Sequence, residues 1–514
     1  MIRKATITVL SVFLLAASAF AARPEKVEGA YYVAFKAAPN AGDRAMLKSH
    51  GVATRAEFPE LNVVEIGTTN PMALQAIANS NRVAYVEEVP MRYKSDLSSQ
   101  QLAASASNGL YGLITTRSTV AHARGVTGSG IKVGVADTQL DISHPDIAGN
   151  LLGSTDCVSK NPCSGSGWQN DGETHATHVS GTIVGVFNTT GVYGAAYNAK
   201  LLHARVLGPA GGSTSDIMRG VTWLADNGAK VVNLSLGGGL KSKTEENFYK
   251  NMRTRGVIVC AATGNDSARS VSFPAGYDVN ISVGAVDKSD VHADFSNTGR
   301  GIDVSAPGVL VLSSVPAGTG HEASVTNNAV ERTAFGLEFA GATTGLTANM
   351  VHCGLGNPGE CQTGGSSGFV ALIQRGTLDF ATKVTNAKNQ GAAAAVIYNN
   401  VAGDFTGTLG AAGSWIPSVS VSDSVGATLE GRVGTSTTVV NKVSSWDYYD
   451  GTSMATPHTS AVVALIWSAN PTMTANNVET TLKNNCDDLG AAGYDTTYGY
   501  GRINADRALA ATGH

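Results

Sequence analysis

The chain predicts a doubly wound, mostly parallel α/β sheet, preceded by a small α+β module and interrupted late in its course by an inserted domain. Three observations carry this. Short apolar runs without alternation recur at residues 131–136, 201–206, 231–236, 257–262 and 281–286, the pattern of parallel strands buried on both faces. Helical segments at 215–227 and 245–255 lie between them as crossovers. The composition then changes near residue 317, becoming dense in Gly, Ala, Thr, Ser and Val, and the α/β pattern resumes at Ser453.

Taken in order, the chain opens with Arg3-Lys4, a mostly apolar run over 7–15 and a small-residue stretch over 16–22. A charged start, a short apolar centre and Ala19-Phe20-Ala21 as an A-x-A site make a secretory signal peptide cleaved after Ala21. The run is shorter than the roughly 20 residues a bilayer core requires, so no stable membrane association is expected. Residues 31–36 (YYVAFK), 62–66 (NVVEI) and 83–86 read as strands, and 44–50 and 71–79 as helices, the second with Pro71 in its first turn. Residues 95–107, rich in Ser, Gln and Ala, suit an exposed, cleavable linker. Within the insertion, 368–374 and 392–398 read as strands and 380–389 as a helix.

With 514 residues, 43% hydrophobic and 15% charged, the chain can bury a core, and its length suggests about three domains. Lys+Arg 36 against Asp+Glu 40 gives a net charge of -4, which supplies no basic stripe for a nucleic-acid partner. Of six cysteines, Cys157 with Cys163 and Cys353 with Cys361 would close small polar loops and are the favoured pairs. Cys260 sits in an apolar run as a buried thiol, and Cys486 has no assignment. The absence of C-x-x-C spacing argues against a cysteine zinc site.

In doubly wound sheets, sites form at the carboxyl ends of strands. Asp137 follows the run 131–136, His175 lies in DGETHATHVSG at 171–181, and Ser453 lies in DGTSMATPH at 450–458. Cleaving an amide near neutral pH requires a nucleophile, a base and a carboxylate that orients the base, and Ser, His and Asp supply those roles. A helix from Ser453 through Ile466 would place the hydroxyl at a positive helix end, beside its own backbone N–H. Asn265, in AATGND at 261–266, could donate to a developing oxyanion with that N–H. Singly, each residue has a commoner use as a cap or surface group; the four at strand ends point to catalysis.

In this chain order, DTQLD at 137–141, HATHVSG at 175–181 and GTSMATPH at 451–458 resemble the subtilisin-like serine proteases, over roughly 111–504 outside the insertion. The resemblance implies Asp137, His175 and Ser453 as the triad and Asn265 as the oxyanion donor. It implies that Ser235, Leu236 and Gly237 pair with the substrate backbone. Ala262, Gly264 and Ser272 would line the P1 pocket, with a cis peptide before Pro274 and Asp266 at the rim. A pocket base without charge suits large apolar P1 residues, with Lys admitted through Asp266. Two residues depart from the family, which usually has Gly where this chain has Gln139 and Ala176.

The stretch VFNTTGV at 186–192 is similar to the family's calcium loop, implying Val186, Asn188, Thr190 and Val192 with the Asp146 carboxylate as ligands of a structural calcium, and a further ligand near Ser107. Residues 31–89 resemble an inhibitory propeptide that chaperones folding and is cleaved near Ser107. The insertion resembles a β-rich protease-associated domain, through ALIQRGTLDF at 371–380, Lys383, Ala387, 391–399 and IPSV at 416–419. The implied domains are a signal peptide over 1–21, propeptide and linker over 22–106, a catalytic domain over 107–316 and 442–514, and the insertion over 317–441. Such a chain would be an exported, monomeric serine endopeptidase, secreted or periplasmic, made as a zymogen. It would act on proteins or peptides, with its own propeptide as inhibitor. A catalytically silent protein of the same fold that binds proteins or peptides through the inserted domain is the alternative; an esterase is disfavoured because G-x-S-x-G is absent.

Overall fold

The computed structural model describes residues 23–95, 110–188, 191–364, 366–411 and 413–514, so the signal segment, most of the linker, Ser107 and Thr190 lie outside the described residues. The first strands are β1 (Lys26–Phe35), β2 (Ala53–Phe58), β3 (Val63–Gly67) and β4 (Val83–Lys94), in the antiparallel order β4-β1-β3-β2. Helices Ala41–Ser49 and Pro71–Ala78 accompany them, each begun by an Asn side chain that accepts from first-turn N–H groups. The apolar run in β1 exists because both of its faces are covered. Val33 and Phe35 pack with Leu47 and Ile77 inside the module, while Tyr32 and Ala34 pack with Met218, Phe248 and Tyr249 of the next domain.

Chain order continues with β5 (Lys132–Asp137), β6 (Leu151–Asp156), β7 (Lys200–Arg205), the two-residue β8 (Gly212–Ser213), β9 (Val231–Leu234), the two-residue β10 (Leu236–Gly237), β11 (Ile258–Ala262), β12 (Ile281–Val286) and β13 (Val304–Pro307). Seven of these form a parallel sheet in the order β13-β12-β11-β9-β5-β7-β6. The progression of strands reverses beside β5, so a crevice opens at its carboxyl end, where Asp137 stands. Helices Thr214–Asp226 and Lys243–Thr254 are the expected crossovers. The helix Thr452–Ala469 is buried from Thr452 through Trp467, as its all-round apolar composition requires.

The chain leaves this domain through β14 (Val311–Ser314). It then forms β15 (Gly320–Asn327), β16 (Val330–Gly336), β17 (Thr343–His352), β18 (Phe369–Gln374), β19 (Ala392–Tyr398), β20 (Ser418–Val421) and β21 (Ser436–Ser444), and returns through β22 (Trp446–Tyr449). Strands β15 to β21 close a barrel in the order β15-β16-β20-β19-β18-β17-β21, while β14 and β22 pair antiparallel at its base. Val370 and Leu372 of β18 point into one core, and Ala371 and Ile373 into another beneath the helix Phe380–Asn389. The buried Lys383 ammonium donates to the carbonyls of Leu355 at 2.5 Å and Gln374 at 3.0 Å.

Both favoured cysteine pairs form disulfides, and Cys260 and Cys486 are buried thiols, each pushed up to about 12 by burial. Among the described residues no helix is long and apolar enough to cross a membrane.

Candidate active site

Asp137 ends β5, and His175 begins the helix His175–Val184; Nδ1 of His175 lies 2.7 Å from Oδ1 of Asp137, and both side chains are fully buried. The same carboxylate oxygen accepts the Thr138 N–H at 2.6 Å, while the Thr138 hydroxyl accepts the Ala176 N–H at 3.0 Å. The carboxylate and the histidine helix are thus stitched together on both sides. Ala176 sits within that helix, where Ala is favoured over Gly.

Gln139, the other departure from the family, is a brace. Its Oε1 accepts from the N–H groups of Gln169 at 3.2 Å and Asp171 at 3.0 Å, and its Nε2 donates to the Glu173 carbonyl at 2.9 Å. The loop leading into His175 is therefore tied to the loop following Asp137.

Ser453 is the second residue of the helix Thr452–Ala469, entered through Gly451 at φ +149. Its hydroxyl donates to the Ser235 carbonyl at 2.9 Å rather than to His175, and the Ser235 hydroxyl donates back to the Ser453 carbonyl at 2.8 Å. Asn265 follows β11, and its Oδ1 accepts from the Thr452 N–H at 2.9 Å and the Thr452 hydroxyl at 2.8 Å. These donors fix which amide atom faces the crevice: Nδ2 donates to the Ser95 carbonyl at 2.6 Å. The Ser453 N–H donates to the same oxygen at 3.3 Å. Two donors converging on one carbonyl at a helix N-terminus can stabilise an oxyanion.

The crevice holds the chain's own segment. Lys94 pairs with Leu236 and Tyr93 with Gly237, antiparallel, and the Ser95 N–H donates to the Ser235 carbonyl at 3.2 Å. On the other side, Met91 pairs with Ser213 and Arg92 with Gly212. The end of β4 is thus the middle strand of three, in the place the sequence assigns to a substrate. Beside Ser95, a Cβ on Gly237 would lie 3.1 Å from the Ser272 Cβ and 3.6 Å from the Ser95 hydroxyl. Gly264, just beyond Ala262, has φ +104, and a Cβ there would come within 2.3 Å of Asn297 Nδ2, so only glycine fits. The Phe273–Pro274 peptide is cis. Asn297, which the sequence reading missed, ties the Thr263 carbonyl to the N–H groups of Asp266 and Ala268.

His178 is structural. Its ring stacks on Tyr449 with centroids 4.4 Å apart and its Nε2 lies 2.9 Å from the Val311 carbonyl, while burial pushes its pKa down to about 3.

The carboxylate expected to hold calcium is engaged by protein donors. Oδ2 of Asp146 already accepts the Trp446 indole N–H at 2.6 Å, the Ser314 hydroxyl at 2.9 Å and the Val192 N–H at 3.2 Å. Asn188 turns its amide N–H, at 3.4 Å, toward Oδ1, and the Val186 N–H donates to the Asp146 carbonyl at 2.8 Å. A calcium cage presents six to eight oxygens to one point, whereas here hydrogen-bond donors face the carboxylate. Thr190 lies outside the described residues. Among the described residues no group of three or more His, Cys, Asp or Glu side chains could hold a metal ion.

A parallel doubly wound sheet with Asp, His and Ser in this order, and an Asn beside the Ser N–H, defines the subtilisin-like class. The chain belongs to the subtilase family: the Peptidase_S8 pattern matches residues 128–368 and 398–501, and the PA domain pattern matches 342–429. It is 38% identical over 264 residues to an alkaline protease of Alkalihalobacillus alcalophilus, covering 51% of this chain and 64% of that protein. It is 43% identical over 210 residues to Subtilisin Savinase of Lederbergia lenta, covering 41% of this chain and 75% of that protein. Among solved structures, the psychrophilic subtilisin-like protease Apa1 from Pseudoalteromonas sp. AS-11 matches with a TM-score of 0.62 and 31% identity, covering 78% of this chain and 97% of that one. Fervidolysin from Fervidobacterium pennivorans shares the fold at a TM-score of 0.64 and 22% identity, covering 95% of this chain and 61% of that one.

Proposed function

We propose that the protein is an exported serine endopeptidase made as a zymogen, in which Ser453 is the nucleophile, His175 the base, Asp137 its orienting carboxylate and Asn265 the oxyanion donor. One observation carries this reading: the Ser95 carbonyl sits between Asn265 Nδ2 and the Ser453 N–H, at the end of a segment bonded as a substrate strand.

In the reaction, Ser453 Oγ turns from Ser235 and attacks the scissile carbonyl carbon while His175 Nε2 takes its proton. Asp137 holds the imidazole through Nδ1–H and stabilises the imidazolium. Asn265 and the Ser453 N–H hold the oxyanion until the C–N bond breaks. His175 then returns the proton to the leaving amine, and water attacks the acyl-enzyme by the same route in reverse. The peptide bond first cleaved is the chain's own, after Ser95, upstream of the site near Ser107 that the family resemblance implies.

Residues 23–95 then remain as a product-like inhibitor. Their interface supports that role, since Glu87 accepts from the Thr244 N–H at 2.8 Å, the Lys243 N–H at 3.1 Å and the Ser242 hydroxyl at 2.9 Å, capping a crossover helix. Ala262, Gly264 and Ser272 carry no charge, which supports neutral and apolar P1 residues. Protein or peptide substrates, a monomeric state and export complete the reading.

Fluorophosphonate treatment of secreted protein, followed by peptide mapping, tests the assignment. An adduct on Ser453 that is lost in His175→Ala supports it. No adduct on protein shown to lack residues 23–95 would instead favour a silent binding protein of the same fold.

A further inference from the structure

The reading above makes Ser95 the residue before the scissile bond, P1, and the inference that follows rests on it. Counting back, Lys94 occupies P2, Tyr93 P3 and Arg92 P4. The Lys94 ammonium reaches Glu173 at 2.7 Å near the rim, and the Tyr93 hydroxyl turns out to the Pro24 carbonyl at 2.5 Å. Arg92 is different, because its side chain is 0% exposed.

The Arg92 guanidinium lies side-on against the Glu245 carboxylate, also 0% exposed, with Nε 3.3 Å from Oε1 and Nη2 bonded to Oε2. Nη2 also donates to the Leu240 carbonyl at 2.9 Å, and the Tyr277 hydroxyl lies 2.8 Å from Oε2 of Glu245. Glu245 is held in the first turn of the helix Lys243–Thr254, where its N–H donates to the Ser242 hydroxyl at 3.1 Å. Glu245, Leu240 and Tyr277 all belong to the α/β domain. The acidic pocket therefore stays with that domain when residues 23–95 leave.

We propose that Glu245 is a specificity-determining residue that selects substrates with arginine at P4. A planar guanidinium offers two parallel N–H groups to the two carboxylate oxygens and a third to the Leu240 carbonyl. A lysine at P4 presents a single point charge to the same oxygens. A leucine would seal the carboxylate from water with no partner, and an acidic residue would add repulsion. The substrate class is thus peptides that present arginine three residues before the P1 residue, as Arg92 stands before Ser95.

The test uses secreted protein freed of residues 23–95, by its own cleavage or an added protease, and the fluorogenic amide acetyl-Met-Arg-Tyr-Lys-Ser with Lys or Leu replacing Arg. The Arg peptide should exceed the Leu peptide in kcat/KM by about thirtyfold or more, with Lys between, matching the loss when one partner of a buried charge pair is removed. In Glu245→Leu the order should invert, and retained hydrolysis of the Leu peptide with an unchanged thermal midpoint shows that the variant is folded. Affinity of the matching product peptides, read by fluorescence anisotropy, should follow the same order without requiring catalysis. Arg and Leu peptides hydrolysed within threefold of one another would overturn the P4 assignment and leave the peptidase reading intact. Preferential Arg binding with no hydrolysis of any peptide would sink the peptidase reading and leave the pocket standing.

Discussion

The carbonyl oxygen of Ser95 is held 2.6 Å from Nδ2 of Asn265, a residue 170 positions further along the chain. This contact leads to a prediction about maturation. Ser453→Ala protein should remain uncut with residues 23–95 attached, whereas the parent should yield a mature form beginning at Asp96. Intact mass and N-terminal sequencing of both read the outcome, and a parent N-terminus near Ser107 would show that a second cut follows the first.

Asn265→Leu removes one of the two donors to the Ser95 carbonyl, proposed above to hold the oxyanion, while keeping a side chain of similar volume. The expected loss in kcat is on the order of 10²–10³, a magnitude established for the corresponding donor in subtilisin itself. KM should change little, because the donor acts on charge that develops in the transition state.

Gln139→Ala severs three hydrogen bonds between the loops that carry Asp137 and His175. The half-buried groups at Asp171 and Glu173, and the exposed Gln169 N–H, then lose a protein partner, at about 0.5–1.5 kcal/mol per bond. The thermal midpoint should fall by several degrees and kcat should fall with it, since the His175 loop loses its anchor. An unchanged midpoint would show that the brace is dispensable.

Three buried histidines set a pH dependence. Burial pushes His178 down to about 3, and His203 and His458 down to about 4. The unfolded chain takes up these protons near pH 6.5, whereas the folded chain resists until pH 3–4. Stability from this source is fully present above pH 6.5 and is lost as the pH falls toward 4, by about 2 kcal/mol per histidine between pH 6.5 and 5. Thermal melts at those two pH values should show the drop, and His203→Gln should lessen it if the variant folds.

The Trp446 indole N–H occupies Oδ2 of Asp146, an oxygen a cation at this carboxylate would have to share. A chelator should therefore shift the thermal midpoint by less than about 2 °C, whereas Trp446→Phe, which deletes the indole N–H at 2.6 Å, should lower it. A large drop with chelator alone would show that Asn188 and the backbone carbonyls of 186–192 turn to coordinate an ion.

The five central sheet strands were legible because burial on both faces writes an unbroken apolar run, as in Ile281–Val286, while the edge strands β6 and β13 were missed, the first because most of its residues are only partly buried and the second because it is four residues long. The positions of Asp137 and Asn265 at strand ends could be read because topology puts polar residues there, whereas His175 and Ser453 open helices and stood out by their motifs. Strand β2, ATRAEF, was missed because four of its six residues are exposed and it lacks β-branched residues other than Thr54. Strand β4 was ended at residue 86 although it runs to Lys94, because Glu87 and Arg92 find their partners in another domain. Trp446 and Glu245 carried no local signal, since the first meets Asp146 across 300 positions and the second meets Arg92 across 153. Pairing at that range is written in the tertiary fold and not in any window of sequence.

The paired strands β14 and β22 have a consequence for how such a chain can change. The barrel departs and returns through neighbouring strands, which in an antiparallel ladder stand only about 5 Å apart. To the parallel sheet, the whole barrel is equivalent to the tip of a hairpin. Any cassette whose ends meet at that spacing could be exchanged for it without moving a strand of the parallel sheet.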